Sequence, residues 1–455
     1  MKIVWVLLFL FFTLYAQSGL TLNEAIAKVK QNNKEISIAK YDEEIKALEH
    51  QVALGYNYGN LNITQLALRS NDAGNVFGFK LQSREARFLD FGFDEFLGQM
   101  SGLPGNAGQL LATQPSQLNY PEARNHFQTQ LEYMLPIYTG GKLEQYGRIT
   151  GALQHLSTLE REQLTNQKIY EVKKSFYAIT LLDTFIYNLQ IIEKNINTLE
   201  HTVNEMMKEG YAKNIDLLEV QARKADLERM LNQAGANKAL VYHFLSFLLD
   251  ERVNAISGSY EDIPVVSASE ADILERNLDV QKAKQGLDIT KMNIALQQSA
   301  YLPTVGAFAQ YGSSDNTFLN DFSQHDAYTV GVQIKWNLFN GGIDKNNVEK
   351  ARVENLKVAQ QVALAQKGIA LKVDQLRTEI KSYEYEVNSL KKEVELSRAI
   401  YENYLGRYTE KLVSINDVII KQSEEIAKVL RLKEVQNSRN DKLFELEKIA
   451  NGEIK

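Results

Sequence analysis

The sequence predicts a mixed fold in which four membrane β-strands per chain join long α-helical coiled coils, arranged as two internal repeats. A repeated motif, long proline-free stretches and segments of alternating polarity support this prediction. Leu135 to Gly141 reads LPIYTGG and Trp336 to Gly342 reads WNLFNGG, at an offset of 201 positions. Asp216 and Asp417 lie in a second pair of matching segments with the same offset. We therefore interpret the chain as two copies of one unit.

The repeats are assigned to residues 19–263 and 264–455, after a signal peptide at residues 1–18. Lys2, the apolar run 3–12 and the small polar patch 16–19 are typical of a secretory signal. A single membrane anchor is the alternative, but the apolar run is shorter than the ~20 residues that a spanning helix needs. We expect an exported protein.

Composition excludes several classes of function. The net charge of -6 gives no basic field for nucleic acid. The chain has no cysteine, which excludes disulfides and thiolate metal sites. The six histidines form no metal-binding motif. We therefore expect no catalytic residue, no metal and no cofactor, and the chain is not predicted to be an enzyme.

No proline interrupts residues 137–263 or 304–455, so both stretches can form long helices. A helix over residues 141–210 would be roughly 100 Å long. Apolar residues three and four positions apart predict a coiled-coil seam in each stretch. The first seam consists of Leu182, Phe185, Leu189, Ile192, Ile196, Leu199, Val203 and Met206. The second consists of Val373, Leu376, Ile380, Tyr383, Val387, Leu390, Val394, Tyr401, Tyr404 and Tyr408, with Ser397 off the pattern.

Each long helix is expected to turn near Asp216 or Asp417 and to return as a second helix. Shorter helices are predicted after two capping boxes, Thr21 to Glu24 and Ser267 to Glu270. The first repeat carries 43 extra residues between its two strands. They fall within about residues 70–125, a region rich in Gly, Asn and Phe that we interpret as a long loop.

Strands are predicted just before the double glycines, at residues 127–137 and 328–336. Each has one apolar and one polar face over about ten residues, as in a transmembrane β-strand. Their partners, at about 56–69 and 301–311, alternate less cleanly. A soluble antiparallel sheet with one buried face would give the same alternation.

Four membrane strands cannot close a barrel, because bacterial barrels have at least about eight. The chain is therefore expected to share its barrel with further copies, and a polar inner face favours twelve strands from three copies. Gly140, Gly141, Gly341 and Gly342 are the predicted strand-to-helix joints, where the backbone changes direction sharply.

These motifs resemble the TolC family of outer-membrane efflux proteins. The similarity extends from Thr21 to Ala25, through Ala300 to Pro303 and the double glycines, to the turns that start at Asp216 and Asp417. The resemblance implies a homotrimer with a twelve-stranded β-barrel in outer-membrane lipid and a long α-helical barrel that projects into the periplasm. It also implies two partners, a periplasmic adaptor (membrane fusion) protein and an inner-membrane pump of the proton-driven or ABC type.

The resemblance also assigns roles to residues. The hairpin tips, with Gly210, Asp216, Lys411 and Asp417, would meet the adaptor; Lys411 replaces the family's glycine, and both aspartates could instead cap the returning helices. Acidic side chains would narrow the periplasmic aperture, or else be ordinary solvated charges. The candidates for the aperture are Glu402, Glu205, Glu209 and Glu410.

The function expected from this reading is an exit duct for small molecules or proteins in a tripartite efflux or type I secretion system. An exported coiled-coil structural or adhesive protein is the alternative.

Overall fold

The computed structural model describes residues 19–102, 107–257, 263, 268–318 and 321–451. The predicted signal peptide lies outside these ranges. The chain divides into two compact units. One comprises residues 1–45, 154–287 and 357–455, and the other comprises residues 46–153 and 288–356. The fold is mostly helical with one small antiparallel sheet.

The helices and strands follow one another in two similar series. The first series is α1 (Leu22–Asn32), α2 (Lys34–Gly55), β1 (Asn60–Ser70), α3 (Ala73–Gln82), α4 (Phe93–Gly102), α5 (Ala107–Leu111), α6 (Ser116–Asn119), β2 (Arg124–Tyr138), α7 (Lys142–Lys208) and α8 (Asn214–Leu249). The second is α9 (Glu270–Arg276), α10 (Leu278–Gln298), β3 (Thr304–Asp315), β4 (Asp326–Lys335), α11 (Ile343–Thr409) and α12 (Ile415–Ile449). Helices α7 and α11 have 67 residues each.

The four predicted strands are confirmed and form one sheet in the order β1-β2-β3-β4. All three pairings are antiparallel, and a register shift interrupts the second between Pro136 and Tyr138. Strands β1 and β4 are therefore the two edges of the sheet. Neither outer edge has a strand partner among the residues described.

The register separates an apolar face of the sheet from a polar one. Val330 lies in a row that also contains Leu61, Tyr133 and Ala309. The next row, on the opposite face, contains Asn62, Glu132, Gln310 and Thr329. Side chains on the apolar face of β4 are largely exposed, as Tyr328 (77%) and Val330 (67%) illustrate. Within the described part of the chain, no element covers this apolar face of β4 to bury it as a soluble core would.

The two coiled-coil seams are confirmed in the first unit. The main apolar cluster joins α7, α8, α11 and α12 and consists of Leu189, Ile192, Ile196, Leu199, Val203, Val220, Leu227, Tyr401, Tyr408, Ile415, Val418 and Ile419. Because these positions are three and four apart, one stripe of each long helix is buried. Burial of this stripe stabilises the packing of the hairpins.

The connection between β1 and β2 differs from the predicted loop, because it contains four short helices, α3 to α6. Helix α3 begins where the Asp72 carboxylate accepts a hydrogen bond of 2.9 Å from the Asn75 N–H. The glycines of this segment have low helix propensity, and for this reason the sequence predicted a loop instead of short helices.

One predicted capping box is confirmed and the other is wrong. Thr21 and Glu24 form a reciprocal capping box at the start of α1. At α9 the cap is Ser269, whose hydroxyl accepts a hydrogen bond from the Asp272 N–H, so the helix begins two residues later than the predicted Ser267 implies. Ser269 has the extended conformation of an N-cap residue, and the predicted cap Ser267 lies outside the described residues.

Two buried asparagines make the same contacts in the two halves of the chain. The Asn33 side chain donates to the Leu248 carbonyl oxygen (2.9 Å) and accepts from the Ile36 N–H (3.1 Å). The Asn277 side chain donates to the Ile449 carbonyl oxygen (2.9 Å) and accepts from the Val280 N–H (3.1 Å). Each asparagine thereby fastens a short helix to the end of a returning helix.

Across the described ranges, no helix combines the length and the apolar character that a membrane span requires.

Replacing Asn277 by alanine is expected to destabilise the fold by about 1–3 kcal/mol, because the Ile449 carbonyl and Val280 N–H lose a buried partner. The thermal unfolding midpoint should fall. Asn237, which is exposed on α8, provides the control, and its alanine variant should unfold like the parent. Equal midpoints for the two variants would contradict this account.

Candidate functional site

The first hairpin end lies between α7 and α8 and closes with a left-handed glycine. Gly210 has φ 77°. The N–H groups of Tyr211 and Ala212 both donate to the Met206 carbonyl oxygen, at 2.8 and 3.2 Å. These bonds satisfy a carbonyl that the end of α7 leaves without a helical partner.

The second hairpin end has the same turn although lysine replaces glycine. Lys411 has φ 64°, and the Leu412 N–H donates to the Arg407 carbonyl oxygen at 2.9 Å. A left-handed conformation costs a residue with a Cβ atom about 1–2 kcal/mol. The hydrogen bonds of the turn, rather than the residue at its centre, therefore determine its shape.

The matching aspartates begin the returning helices. The Lys213 N–H donates to Asp216 Oδ2 at 2.7 Å, and the Ser414 N–H donates to Asp417 Oδ2 at 3.0 Å. Ser414 returns the interaction, since its hydroxyl accepts from the Asp417 N–H. Hydrogen bonds from the Ser414 hydroxyl and N–H lower the pKa of Asp417. Both aspartates thus act as helix caps, as one of the two sequence readings expected.

Side chains connect the two hairpin ends. The Lys411 ammonium lies 3.2 Å from the centroid of the Tyr211 ring, which is within the range of a cation–π interaction. Tyr408, three residues before Lys411, is buried; burial raises the pKa of its hydroxyl, and the negative charge of Asp216 adds to the shift. The two tips predicted from the repeat therefore form one surface.

The four predicted aperture carboxylates all lie on the last turns of α7 and α11, or just beyond them, and all are exposed: Glu205, Glu209, Glu402 and Glu410. Lys208 lies 2.7 Å from Glu205 and lowers its pKa through a hydrogen bond. The charge of Glu205 is thus partly compensated within its own helix. A single chain brings these groups to one end, and only further copies could arrange them in a ring.

Two buried polar residues at the second hairpin were not predicted. Gln422 and Glu425 are each 2% exposed. Glu425 Oε1 accepts from Arg398 Nε at 3.0 Å, whereas its Oε2 has no hydrogen-bond partner among the described residues. Gln422 follows Ile415, Val418 and Ile419 in the apolar seam of α12, so a polar residue at a seam position was the signal in the sequence.

The strand-to-helix joints have the predicted backbone freedom. Gly140 and Gly141 have φ of 65° and 83°, and Gly341 and Gly342 have φ of 70° and 82°. A Cβ atom at Gly140 would also stand 2.7 Å from the Ser299 carbonyl oxygen. At each joint, two consecutive left-handed residues turn the chain from strand to helix.

Comparison with known proteins agrees with this architecture. Residues 271–452 match the family model described as outer membrane efflux protein. These residues form an outer membrane efflux protein domain. The resemblance inferred from the repeated motifs is confirmed, and with it the expected location in the outer membrane.

Sequence relatives of known description also match. A 230-residue segment is 23% identical to the putative multidrug resistance outer membrane protein MdtQ of Shigella flexneri, and covers 48% of this chain and 48% of that protein. The MdtQ protein of Escherichia coli strain K12 matches with the same identity and coverage. The chain spans about half the length of these relatives in the match. Both are described as outer membrane proteins and not as enzymes, in agreement with the prediction.

Solved structures share the fold over nearly the whole chain. The Campylobacter jejuni CmeC outer membrane channel superposes with a TM-score of 0.76 at 14% identity, covering 95% of this chain and 86% of CmeC. The outer membrane protein VceC of Vibrio cholerae gives a TM-score of 0.76 at 14% identity, with 95% and 97% covered. At such identities the likeness establishes the fold.

Replacing Gly341 or Gly342 by alanine should destabilise the protein by about 1–2 kcal/mol, because both positions are left-handed. The same substitution at Gly368, within helix α11 and clear of neighbouring atoms, should stabilise by about 0.4–1 kcal/mol. Thermal unfolding of the three variants measures the difference. The assigned backbone geometry would be contradicted if Gly368→Ala destabilised the protein. It would also be contradicted if neither Gly341→Ala nor Gly342→Ala changed the stability.

Proposed function

We propose that this chain forms the exit duct of a tripartite efflux or type I secretion system. Three copies would close a twelve-stranded barrel in the outer membrane, and their long helices would extend into the periplasm. A periplasmic adaptor and a proton-driven or ABC-type inner-membrane pump would deliver small molecules or proteins. The duct itself would be passive. The two repeats, residues 19–263 and 264–455, would each contribute two strands and one long hairpin.

The observation that carries this proposal is the sheet. One face of its outer strand β4 presents exposed Tyr328, Val330, Val332 and Ile334, while rows on the other face carry Glu132 and Gln310. An apolar outer face and a polar inner face are what a barrel needs between lipid and a water-filled lumen. The two open edges require pairing, because unpaired backbone groups in lipid cost several kcal/mol each.

Helix α2 provides independent support for an oligomer. It carries an exposed apolar stripe at positions three and four apart, which consists of Ile38, Tyr41, Ile45, Leu48 and Val52. These side chains are 51% to 65% exposed in the single chain. Such spacing is typical of a coiled-coil seam, and we propose that a helix of another copy packs against this stripe. This stripe could have been recognised from the sequence by the same search that found the seams of α7 and α11.

The joined hairpin ends would be the adaptor-binding surface. Around the capped turns, apolar side chains are exposed on both hairpins, notably Tyr211, Ile215, Leu218 and Leu412. Capping and contact are compatible roles, since Asp216 and Asp417 fix the turns whose neighbours would meet the partner. Glu402, Glu209 and Glu410 would line the periplasmic aperture and favour cations over anions.

Introducing lysine at Ile45 should prevent assembly, because a charge would be buried in the proposed helix contact between copies. The matched control is Glu44→Lys, an exposed position one residue away on the same helix. Outer-membrane extracts, analysed by semi-native electrophoresis without boiling, should contain trimers of the parent and the control, and monomers of Ile45→Lys. If the parent protein is monomeric in these extracts, the proposed trimer is wrong.

The parent protein should conduct ions in planar bilayers and prefer cations. Glu402→Gln should reduce the cation-to-anion permeability ratio severalfold, because it removes one charge per copy at the aperture. Glu349→Gln, on the same helix near its start, should leave the ratio unchanged. If the protein conducts ions but Glu402→Gln does not change the permeability ratio, Glu402 does not line the aperture. If the parent protein does not conduct ions, the proposed channel function is wrong.

A further inference from the structure

Three metal-ligating side chains meet at the ends of the strands, within the sheet-containing unit. Glu85 follows α3, Asp315 ends β3 and His325 immediately precedes β4. One donor atom of each residue lies within 4.8 Å of the other two. We propose that these residues bind a divalent transition-metal ion, with Zn²⁺ the best match. The site is independent of the proposed transport role.

Asp315 supplies the buried carboxylate of this cluster. Its side chain is 5% exposed. The carboxylate accepts hydrogen bonds from the Asn316 N–H (2.5 Å) and the Thr317 hydroxyl (3.3 Å). Among the described residues, no Lys, Arg or His lies within ion-pair distance of it, whereas Glu85 pairs with Arg124. Since buried carboxylates are normally paired or coordinate a metal, a cation beside Asp315 would complete the site.

His325 makes a hydrogen bond of the kind that metal-ligating histidines make. Its Nδ1 lies against the Ser83 carbonyl oxygen. Because a carbonyl only accepts, Nδ1 must carry the proton, and the neutral ring then has its lone pair on Nε2. Histidines that bind metals characteristically donate their other N–H to a backbone carbonyl or a carboxylate, which fixes both the tautomer and the ring.

The donor set selects the ion. One imidazole and two carboxylates suit Zn²⁺, whereas Ca²⁺ and Mg²⁺ prefer oxygen ligands alone. Binding at the usual distances of about 2.0–2.2 Å would draw the three side chains closer together. Arg124 can stay in place, because a carboxylate has two oxygens and can accept from the guanidinium while it binds the ion. No local sequence pattern marks this site, since Glu85 lies far from Asp315 and His325 along the chain.

A bound ion would have a structural consequence. Ser83 and Glu85 belong to the connection that is 43 residues longer in the first repeat. Asp315 and His325 flank the turn between β3 and β4. The ion would therefore fasten the long connection to the neighbouring hairpin, and its binding free energy would stabilise that arrangement.

The test is metal binding by the full chain, purified without a histidine tag, treated with EDTA and dialysed against Zn²⁺. We expect one Zn²⁺ per chain by atomic emission, and an affinity for Zn²⁺ that exceeds those for Ca²⁺ and Mg²⁺ in calorimetric titration. His325→Ala and Asp315→Asn should each weaken binding by about 100-fold or more, since even residues behind the ligands change affinity 10–100-fold. His201→Ala, an exposed histidine on α7, should bind like the parent.

Visible absorption of Co²⁺ bound in place of Zn²⁺ gives a second readout. The parent and His201→Ala should show the intense bands of a low-symmetry site, which His325→Ala should lack while its far-ultraviolet circular dichroism matches the parent. No stoichiometric Zn²⁺ in the parent would overturn the proposal. Equal weakening by His201→Ala, or full binding by His325→Ala and Asp315→Asn, would overturn it as well.

Discussion

The unpaired edges of the four-stranded sheet are the constraint on which the rest of the structure depends. Strands β1 and β4 each offer a row of backbone N–H and C=O groups that no described strand of the chain satisfies. An apolar face is also exposed on β4, and we therefore propose that other copies continue the sheet and that lipid covers it. A shared barrel satisfies both needs, and the exposed stripe of α2 meets the same requirement among the helices.

The two halves of the chain contain matching elements. Equal long helices, equal left-handed turns and equal asparagine contacts occur in both halves, so each half supplies the same parts to the assembly. Two of the differences between the halves involve contacts described above. Lys411 replaces a turn glycine and contacts Tyr211, and the longer connection between β1 and β2 brings Ser83 and Glu85 to the β3–β4 turn.

Much of this could be predicted from sequence because periodicity is a local property. The seams of α7 and α11, the alternating strands and the left-handed glycines at 140, 141, 341 and 342 each follow from residues near one another. The cap at Ser269 was missed because two serines two positions apart compete for one helix start. The burial of Glu425 and the meeting of Asp315 with Glu85 and His325 depend on segments that are distant in the chain, and no local pattern encodes them.

The central claim is that β4 of one copy pairs with β1 of the next, and cysteine cross-linking tests it most directly because the natural chain has no cysteine. Val330→Cys would be combined in turn with cysteine at Leu61, Ile63 or Gln65, all on the same face of the sheet. Within one chain the two edges are about 14 Å apart, three strand spacings, which is too far for a disulfide. The account predicts oxidised dimers and trimers in outer membranes for at least one pair. Cross-links absent from every pair, or formed only within single chains, would contradict it.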